Sequence, residues 1–153
     1  MSAKPLVQPA SKLYGEDFAV WTAKTARLLR EGRFSEIDLE HVAEEIEDMG
    51  NRDHRELFSR LRLIIHHLLK WQYQPEKRSR SWESTIDLQR GEIRQLFRWS
   101  PSLQRALPEL LPEVYVDAVR QARIETDLPD KSFPRECPFT PEQILDPDFL
   151  PGQ

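Results

Sequence analysis

The chain has 153 residues, enough for one domain with an ordinary hydrophobic core. Hydrophobic residues make up 39% and charged residues 31%, a balance typical of a soluble, helix-rich protein. No apolar run approaches the roughly 20 residues that span a bilayer, and the N-terminal sequence lacks the apolar segment of a signal peptide. The single cysteine, Cys137, excludes an intrachain disulfide and a cysteine-based zinc cluster. These features predict a cytoplasmic protein without a membrane partner.

The chain begins with a segment, residues 1–12, that we expect to be a flexible leader. The first helix is predicted to begin after the sequence YGED, where Glu16 or Asp17 suits the N-terminal cap. Gly32 is a natural residue to end it. The apolar positions follow the spacing of an amphipathic helix, and its predicted buried stripe is Phe18, Trp21, Thr25, Leu28 and Leu29.

The second helix is predicted to be the longest. Asp38 can cap it, and Pro75 must end it, because proline within a helix loses a hydrogen bond and clashes with the preceding turn. Gly50 leaves open whether the helix kinks or breaks there. The predicted buried face is Leu39, Val42, Ile46, Met49, Leu57, Leu61, Ile64, Leu68 and Trp71.

Two further helices are predicted before residue 129. One begins near Ser79 or Ser81, both good N-terminal caps, and ends at Trp99 before the sequence Ser-Pro. After it, Pro101, Pro108 and Pro112 are expected to divide the chain into a short helical turn and a helix over EVYVDAVRQARIETD. The buried stripe of this region is predicted to be Leu111, Val114, Tyr115, Ala118 and Ala122.

The C-terminal residues 129–153 are rich in proline and are predicted to form an irregular strap with one short helix. Thr140 caps that helix, Pro141 takes its first position and Gln143 completes a capping box. Phe133, Phe139, Ile144, Leu145 and Phe149 predict that the strap packs on the rest of the chain. No segment alternates like a strand. The expected fold is therefore an all-α, single-domain helical bundle of about four principal helices over residues 13–128, with the strap packed on it.

The net charge of −4 conceals a strong segregation along the chain. Residues 36–56 carry nine acids and two bases, residues 60–105 carry ten bases and four acids, and residues 106–153 carry ten acids and four bases. This pattern indicates either a basic face for an acidic ligand or oppositely charged helices that lie side by side. The second interpretation is the simpler one.

Three polar residues lie on or beside the apolar face of the long helix. Asp53, Arg60 and His67 are seven residues apart, and a helical wheel places them close to the line through Ile46 and Ile64. They predict either a polar pocket with His67 as acid, base or ligand, or satisfied polar groups that fix how helices meet. Buried charges need partners, and Glu56 is correctly placed to pair with Arg60.

The segment HHLLKWQYQPEKRSRSW, residues 66–82, combines aromatic and cationic residues. Lys70, Arg78, Arg80 and Trp82 could contact phosphates and stack on bases. The alternative is a structural corner in which Trp71 is buried, Pro75 ends one helix and a serine caps the next. We expect the corner, with His67 partly buried and the cations divided between salt bridges and solvent.

Motifs for metal and nucleotide chemistry are missing from the sequence. A carboxylate-bridged metal centre in a bundle needs the pattern Glu-x-x-His, and the nearest match is Asp38-x-x-His41 alone. The sequence also lacks a phosphate-binding glycine loop, G-x-S-x-G and H-E-x-x-H. We therefore predict neither a metal site nor a cofactor.

The sequence resembles the bacterial family called domain of unknown function 29. The resemblance covers residues 13 to 151 and is carried by LYGEDFAVWTAKTARLLREGRFSEIDLEHVAEEIEDMG, HLLKWQYQPEKRSRSW and FPRECPFTPEQILDPDFLP. The matching residues are Asp17, Trp21, Glu44, Glu45, Ile46, Gly50, His67, Leu68, Lys70, Trp71, Gln72, Pro75, Arg78, Ser79, Trp82 and Pro138. The resemblance implies a small, all-helical bacterial protein and supplies no activity.

Three functions remain open from the sequence. The first is a non-enzymatic helical module that binds a protein partner. The second is a nucleic-acid-associated factor that uses the corner at residues 70–82. The third is an enzyme with a polar pocket around His67.

Overall fold

A computed structural model describes residues 10–152 as six α-helices joined by short turns. They are α1 (Ala10–Glu16), α2 (Phe18–Arg30), α3 (Leu39–Tyr73), α4 (Arg80–Trp99), α5 (Pro101–Thr126) and α6 (Pro141–Leu145). Short 3-10 turns occupy Phe34–Glu36, Pro75–Lys77 and Asp130–Ser132. None of residues 10–152 lies in a strand. The predicted all-α bundle with four principal helices, α2 to α5, is confirmed.

The chain forms two compact units, the first ending at Asn51 and the second beginning at Arg52. Helix α3 contributes residues to both of them. Most of the predicted leader lies outside the described residues, while residues 10–12 already belong to α1. The division into leader, bundle and strap within a single domain stays a prediction.

The N-terminal unit is built on helix α2. The side chain of Asp17 caps α2 by accepting a hydrogen bond from the amide of Val20 at 3.1 Å, as predicted. Gly32 follows the helix with a positive φ of 71°, which glycine adopts without the strain of a Cβ atom. The predicted stripe is only partly correct, because Trp21, Thr25 and Leu28 are buried whereas Phe18 and Leu29 are exposed.

Helix α3 runs for 35 residues without a break at Gly50. A Cβ atom added to Gly50 would meet no atom within 4 Å, so this glycine serves no close packing contact. From Leu57 to Trp71 the predicted apolar face is buried. The prediction is wrong for Leu39, Ile46 and Met49, which are 63%, 63% and 60% exposed.

The core of the C-terminal unit is formed by α3, α4, α5 and the strap. Its buried residues include Leu57, Leu61, Ile64, Ile65, Leu68 and Leu69 of α3, Ile86 and Ile93 of α4, and Val114, Tyr115, Ala118 and Ala122 of α5. The last four were predicted from the sequence, whereas Leu111 is only partly buried. Burying one large aliphatic or aromatic side chain contributes about 1.5–3 kcal/mol, so this cluster is the main source of the unit's stability.

Helix α5 continues through Pro108 and Pro112, where the sequence predicted breaks. Both prolines are exposed, so water can hydrate the carbonyl groups that lose their amide partners. The helix is held on both sides of them by buried residues, Leu103 and Leu107 before and Val114 and Tyr115 after. Packing on both sides therefore offsets the cost of the two prolines, which is about 3 kcal/mol each.

The C-terminal strap packs against the core of its own unit. Phe133, Phe139 and Ile144 are buried in the same cluster as the helices, and Leu145 and Phe149 lie partly buried beside it. The predicted capping box of α6 is present, since Thr140 and Gln143 exchange two hydrogen bonds at 3.0 and 3.1 Å. The burial predicted for these side chains is confirmed.

Within residues 10–152, no helix has both the length and the apolar character needed to cross a bilayer.

Replacing Phe139 with alanine should remove about 3–5 kcal/mol from the free energy of unfolding, because the side chain is only 4% exposed and leaves a cavity. The matched control is Phe34→Ala at a site 60% exposed, which should cost less than about 0.5 kcal/mol. Urea unfolding followed by far-UV circular dichroism measures both. Equal losses from the two variants would contradict the described packing of the strap.

Replacement by alanine should change the stability of the protein in opposite directions at Gly50 and Gly32. Gly50→Ala should stabilise the protein by about 1 kcal/mol, because alanine favours a helix interior and the added atom meets no neighbour. Gly32→Ala should destabilise it by about 1–2 kcal/mol, because a Cβ atom is disfavoured at a φ of 71°. Denaturation midpoints measure both changes. A loss of stability in Gly50→Ala would indicate that α3 is not regular at that position.

Candidate functional site

The segment 66–82 forms the corner between helices α3 and α4. Helix α3 ends at Tyr73, the residues Pro75–Lys77 form a 3-10 turn, and Ser79 then caps α4. The hydroxyl of Ser79 accepts a hydrogen bond from the amide of Trp82 at 3.2 Å. Trp71 is buried and His67 is half-buried, as predicted.

A polar cluster of three residues, two of them buried, joins this corner to helix α5. The ammonium of Lys70 donates a hydrogen bond to Oε2 of Glu125 at 2.6 Å, and Nε2 of His66 lies 2.9 Å from the same oxygen. Lys70 also lies over the ring of Trp82, 4.4 Å from its centroid. His66 and Lys70 are buried, whereas Glu125 is reached by solvent. The pair of Lys70 and Glu125 agrees with the prediction that oppositely charged helices neutralise each other.

The environment of this cluster shifts the pKa of two of its members. Burial lowers the pKa of His66 to about 4, despite the opposing influence of Glu125. Burial acts to raise the pKa of Glu125, but the hydrogen bond from Lys70 and the nearby positive charge hold it below its ordinary value. His66 is therefore neutral at pH 7, and Nε2 carries the proton because a carboxylate can only accept.

The three polar residues of the predicted α3 pocket do not share one site. His67 donates from Nδ1 to the carbonyl of Leu63 at 2.8 Å, and burial lowers its pKa. The guanidinium of Arg60 binds Glu56 as predicted, at 2.9 Å. It also donates to Gln89 at 2.9 Å and lies 3.5 Å from Glu92.

Asp53 lies at a different place from His67. It lines a cavity of about 280 Å³ together with Glu56, Glu92, Gln95, Leu96 and Trp99. His67 lies fourteen positions after Asp53, which corresponds to a rise of about 21 Å along a helix. The structure therefore does not bring Asp53, Arg60 and His67 together in one pocket.

The cations after Tyr73 divide between structural contacts and solvent. Arg78 donates from Nε to the carbonyl of Trp71 at 2.8 Å and from Nη2 to the carbonyl of Pro151 at 3.4 Å. Its guanidinium also lies 5.2 Å from the centroid of the Trp71 ring. Lys77 and Arg80 are exposed, and Trp82 is half-buried. The role of these residues in binding stays a prediction.

Arg90 is a buried residue that the sequence interpretation missed. It donates from Nε to the carbonyl of Ile144 at 2.8 Å and from Nη2 to that of Gln143 at 3.1 Å, so it binds the end of α6. Burial lowers the pKa of its guanidinium. The signal was its position between Ile86 and Ile93, four and three residues away, on the buried face of α4.

An exposed apolar stripe occupies the N-terminal half of α3. We call Leu39, Val42, Ile46 and Met49 the α3 stripe. Val42 is half-buried and the other three residues are about 60% exposed. Helix α1 contacts a different face of α3, where the hydroxyl of Tyr14 donates to Glu45. Because neighbouring residues lie about 100° apart around a helix, this contact leaves Ile46 uncovered.

Acidic side chains occupy much of the rest of this helix surface, with Glu40 and Glu47 to one side of the α3 stripe and Glu44 and Asp48 on the face opposite to it. Glu40, Glu44, Glu47 and Asp48 are exposed. Among the residues that the structure describes, none of these four carboxylates forms an ion pair. The stripe is thus an apolar surface on a negatively charged segment of helix, and the charge of these four carboxylates is not neutralised within the described chain.

The described residues contain no group of three or more histidine, cysteine, aspartate or glutamate side chains placed to hold a metal ion.

The neutral state of His66 predicts a loss of stability in mild acid. The unfolded chain takes up a proton near pH 6.5 and the folded chain only near pH 4, so stability is complete above pH 6.5 and falls as pH decreases toward 4. Between pH 7 and pH 5 His66 should account for a loss of about 2 kcal/mol. Replacing it by glutamine should remove that share of the pH dependence, measured by urea unfolding at both pH values.

His54→Gln, at an exposed position, is the matched control and should retain the pH dependence of the wild-type protein. The same pH dependence in His66→Gln as in the wild type would show that His66 is not held neutral by burial.

Of three comparisons with known proteins, one identifies a family. A search of curated proteins and a search of solved structures each gave no match. The sequence profile of the family described as "Domain of unknown function DUF29" matches residues 13–150, which is most of the chain. The chain therefore belongs to the DUF29 family.

Proposed function

We propose that this chain is a non-enzymatic protein-binding module and that the α3 stripe is its binding surface. The observation that supports this proposal is the exposure of Leu39, Ile46 and Met49 on one face of one helix. Single exposed apolar side chains are common on proteins, but a contiguous group of them with a polar border is typical of an interaction site. The cytoplasm remains the proposed location, because a lone cysteine suits a reducing compartment.

The charge around the stripe favours a protein over other large partners. Residues 36–56 carry nine acids and two bases. This excess of negative charge opposes both the phosphate backbone of a nucleic acid and an anionic membrane surface. A protein partner can provide apolar side chains for the stripe and cations for the carboxylates of this segment.

The nucleic-acid alternative at the corner has less support. Lys70 is buried and paired with Glu125, and Arg78 is engaged with two backbone carbonyls. Trp71, an aromatic residue of the same segment, is buried and cannot stack on a base. Lys77 and Arg80 are the exposed cations of this corner, fewer than the sequence suggested for a phosphate-binding surface.

The enzyme alternative also has less support. A general base must reach the proton that it removes. The Nδ1 atom of His67 instead donates to a carbonyl of its own helix, and His66 is buried beside Glu125. These contacts are typical of histidines that are satisfied within the fold.

Crosslinking from the stripe tests the proposal. A photo-crosslinking amino acid at position 46 should capture a specific protein in cells, whereas the same amino acid at position 88, also exposed, should not. The captured protein is then identified, purified and titrated by calorimetry against the double variant Ile46→Ser, Met49→Ser. Loss of two central apolar side chains should weaken binding at least tenfold, because interface energy concentrates in a few central residues.

Leu88→Ser is the control for this titration and should bind like the wild-type protein, because Leu88 lies on α4, away from the stripe in sequence. Two results would overturn the proposal. One is the absence of any crosslink at position 46 beyond that at position 88. The other is an unchanged affinity of the double variant for the identified protein.

A further inference from the structure

We infer that the α3 stripe receives a basic amphipathic helix of the partner protein, an inference that rests on the proposed function. Three features of the stripe carry it: the spacing of its residues, the small residues beside it and the charge of its border.

The spacing of the stripe fits a helix as the occupant. Leu39, Val42, Ile46 and Met49 are separated by three, four and three residues, the a and d positions of a heptad repeat. On a helical wheel they cover an arc of only about 80°. An apolar face that packs into a globular core is normally wider than about 100°, and the narrower arc is typical of contact with one other helix.

Small residues border the stripe on the side away from Glu45. Ala43 and Gly50 are seven residues apart and lie on the same face of α3. A Cβ atom built on Gly50 would meet no atom within 4 Å, so the surface is open there. A second helix can approach the backbone of α3 at these positions, and its apolar side chains can then contact those of the stripe.

The border of the stripe specifies the charge of that helix. Glu40 and Glu47 lie next to the small residues on the helical wheel, and both are exposed. Neither carboxylate has a cationic partner in the described part of the chain. Ala43 and Gly50 occupy the e positions that flank the seam, and Glu40 and Glu47 occupy the b positions beyond them. Long cationic side chains of an incoming helix can reach these carboxylates across the small residues, and opposite charges then favour such a partner. Lysine or arginine is therefore expected beside the apolar seam of the incoming helix.

A second copy of this chain fits the stripe less well. Two stripes packed against each other would bring the same acidic borders together, and juxtaposed like charges are unfavourable. The segment 36–56 has only Arg52 and Arg55 to oppose nine acids. A basic helix from a different protein avoids this repulsion.

Designed helical peptides test the inference directly. Three peptides about three heptads long are compared by fluorescence anisotropy. The first has leucine at the seam and lysine at the flanking positions, the second replaces those lysines by glutamate, and the third keeps the lysines but has serine at the seam. The first peptide should bind at least tenfold more tightly than either of the others, and added salt should weaken its binding.

Variants of the protein separate the two contributions. Ile46→Ser, Met49→Ser should weaken binding of the first peptide at least tenfold. Glu40→Gln, Glu47→Gln should reduce the preference for lysine over glutamate peptides and also the salt dependence. Leu88→Ser, Val116→Ser, which changes two exposed residues elsewhere, is the matched control and should bind normally.

Several outcomes would overturn the inference, and they have different consequences for the proposed function. If the lysine and glutamate peptides bind equally well and neither binds the Ile46 and Met49 variant, the partner helix need not be basic. The stripe would still be an apolar binding surface. Equal binding of the leucine and serine peptides would show non-specific charge attraction. No binding of any peptide would exclude a helix of this kind, while crosslinking from position 46 still decides the proposed function. Finally, a dimer of the protein alone, lost in the Ile46 and Met49 variant, would make a second copy the occupant.

Discussion

The burial of one aliphatic row on helix α3 is the interaction on which the C-terminal unit depends. Leu57, Leu61, Ile64 and Leu68 are completely buried, and they are spaced four, three and four residues apart. Helices α4 and α5 and the strap contribute side chains to the same cluster. Without the row on α3, helices α4 and α5 and the strap would expose their apolar faces to water. The row therefore determines which face of each element is buried.

Several polar groups inside this unit form contacts that connect distant parts of the chain. Arg90 of α4 binds the carbonyls of Gln143 and Ile144 in α6, and Arg78 binds the carbonyls of Trp71 and Pro151. Lys70 and His66 share one oxygen of Glu125. A buried charge without a partner costs several kcal/mol, so each of these contacts also excludes arrangements in which the partner is absent.

Local signals in the sequence predicted a large part of the fold. The caps at Asp17, Ser79 and Thr140 fix the starts of three helices through contacts within three residues, and such contacts can be read directly from the sequence. The continuity of α5 was missed because Pro108 and Pro112 disfavour a helix locally, while the packing that maintains it comes from other elements. Arg90 was missed because its partners, the carbonyls of Gln143 and Ile144, lie more than fifty residues away.

The candidate surface shows a further limit of prediction from sequence. The spacing of Leu39, Ile46 and Met49 identifies an apolar face correctly, but it does not say whether the chain itself covers that face. The same periodicity describes a residue that packs within the fold and one that packs on a partner. The folded chain distinguishes the two cases, because α1 binds through Tyr14 to Glu45 and leaves Leu39, Ile46 and Met49 exposed.

The continuity of helix α3 has a consequence for how a partner would act on the protein. Starting a helix is unfavourable, whereas extending an existing one costs little for each added residue. The buried half of α3, beyond Asn51, can supply the nucleus from which residues 39–50 are propagated. A partner that binds only the helical form would oppose fraying from the Leu39 end and gain a preformed surface at low entropic cost. Partner binding at residues 39–50 would then stabilise α3, and the helix nucleus in the buried half of α3 would in turn favour partner binding.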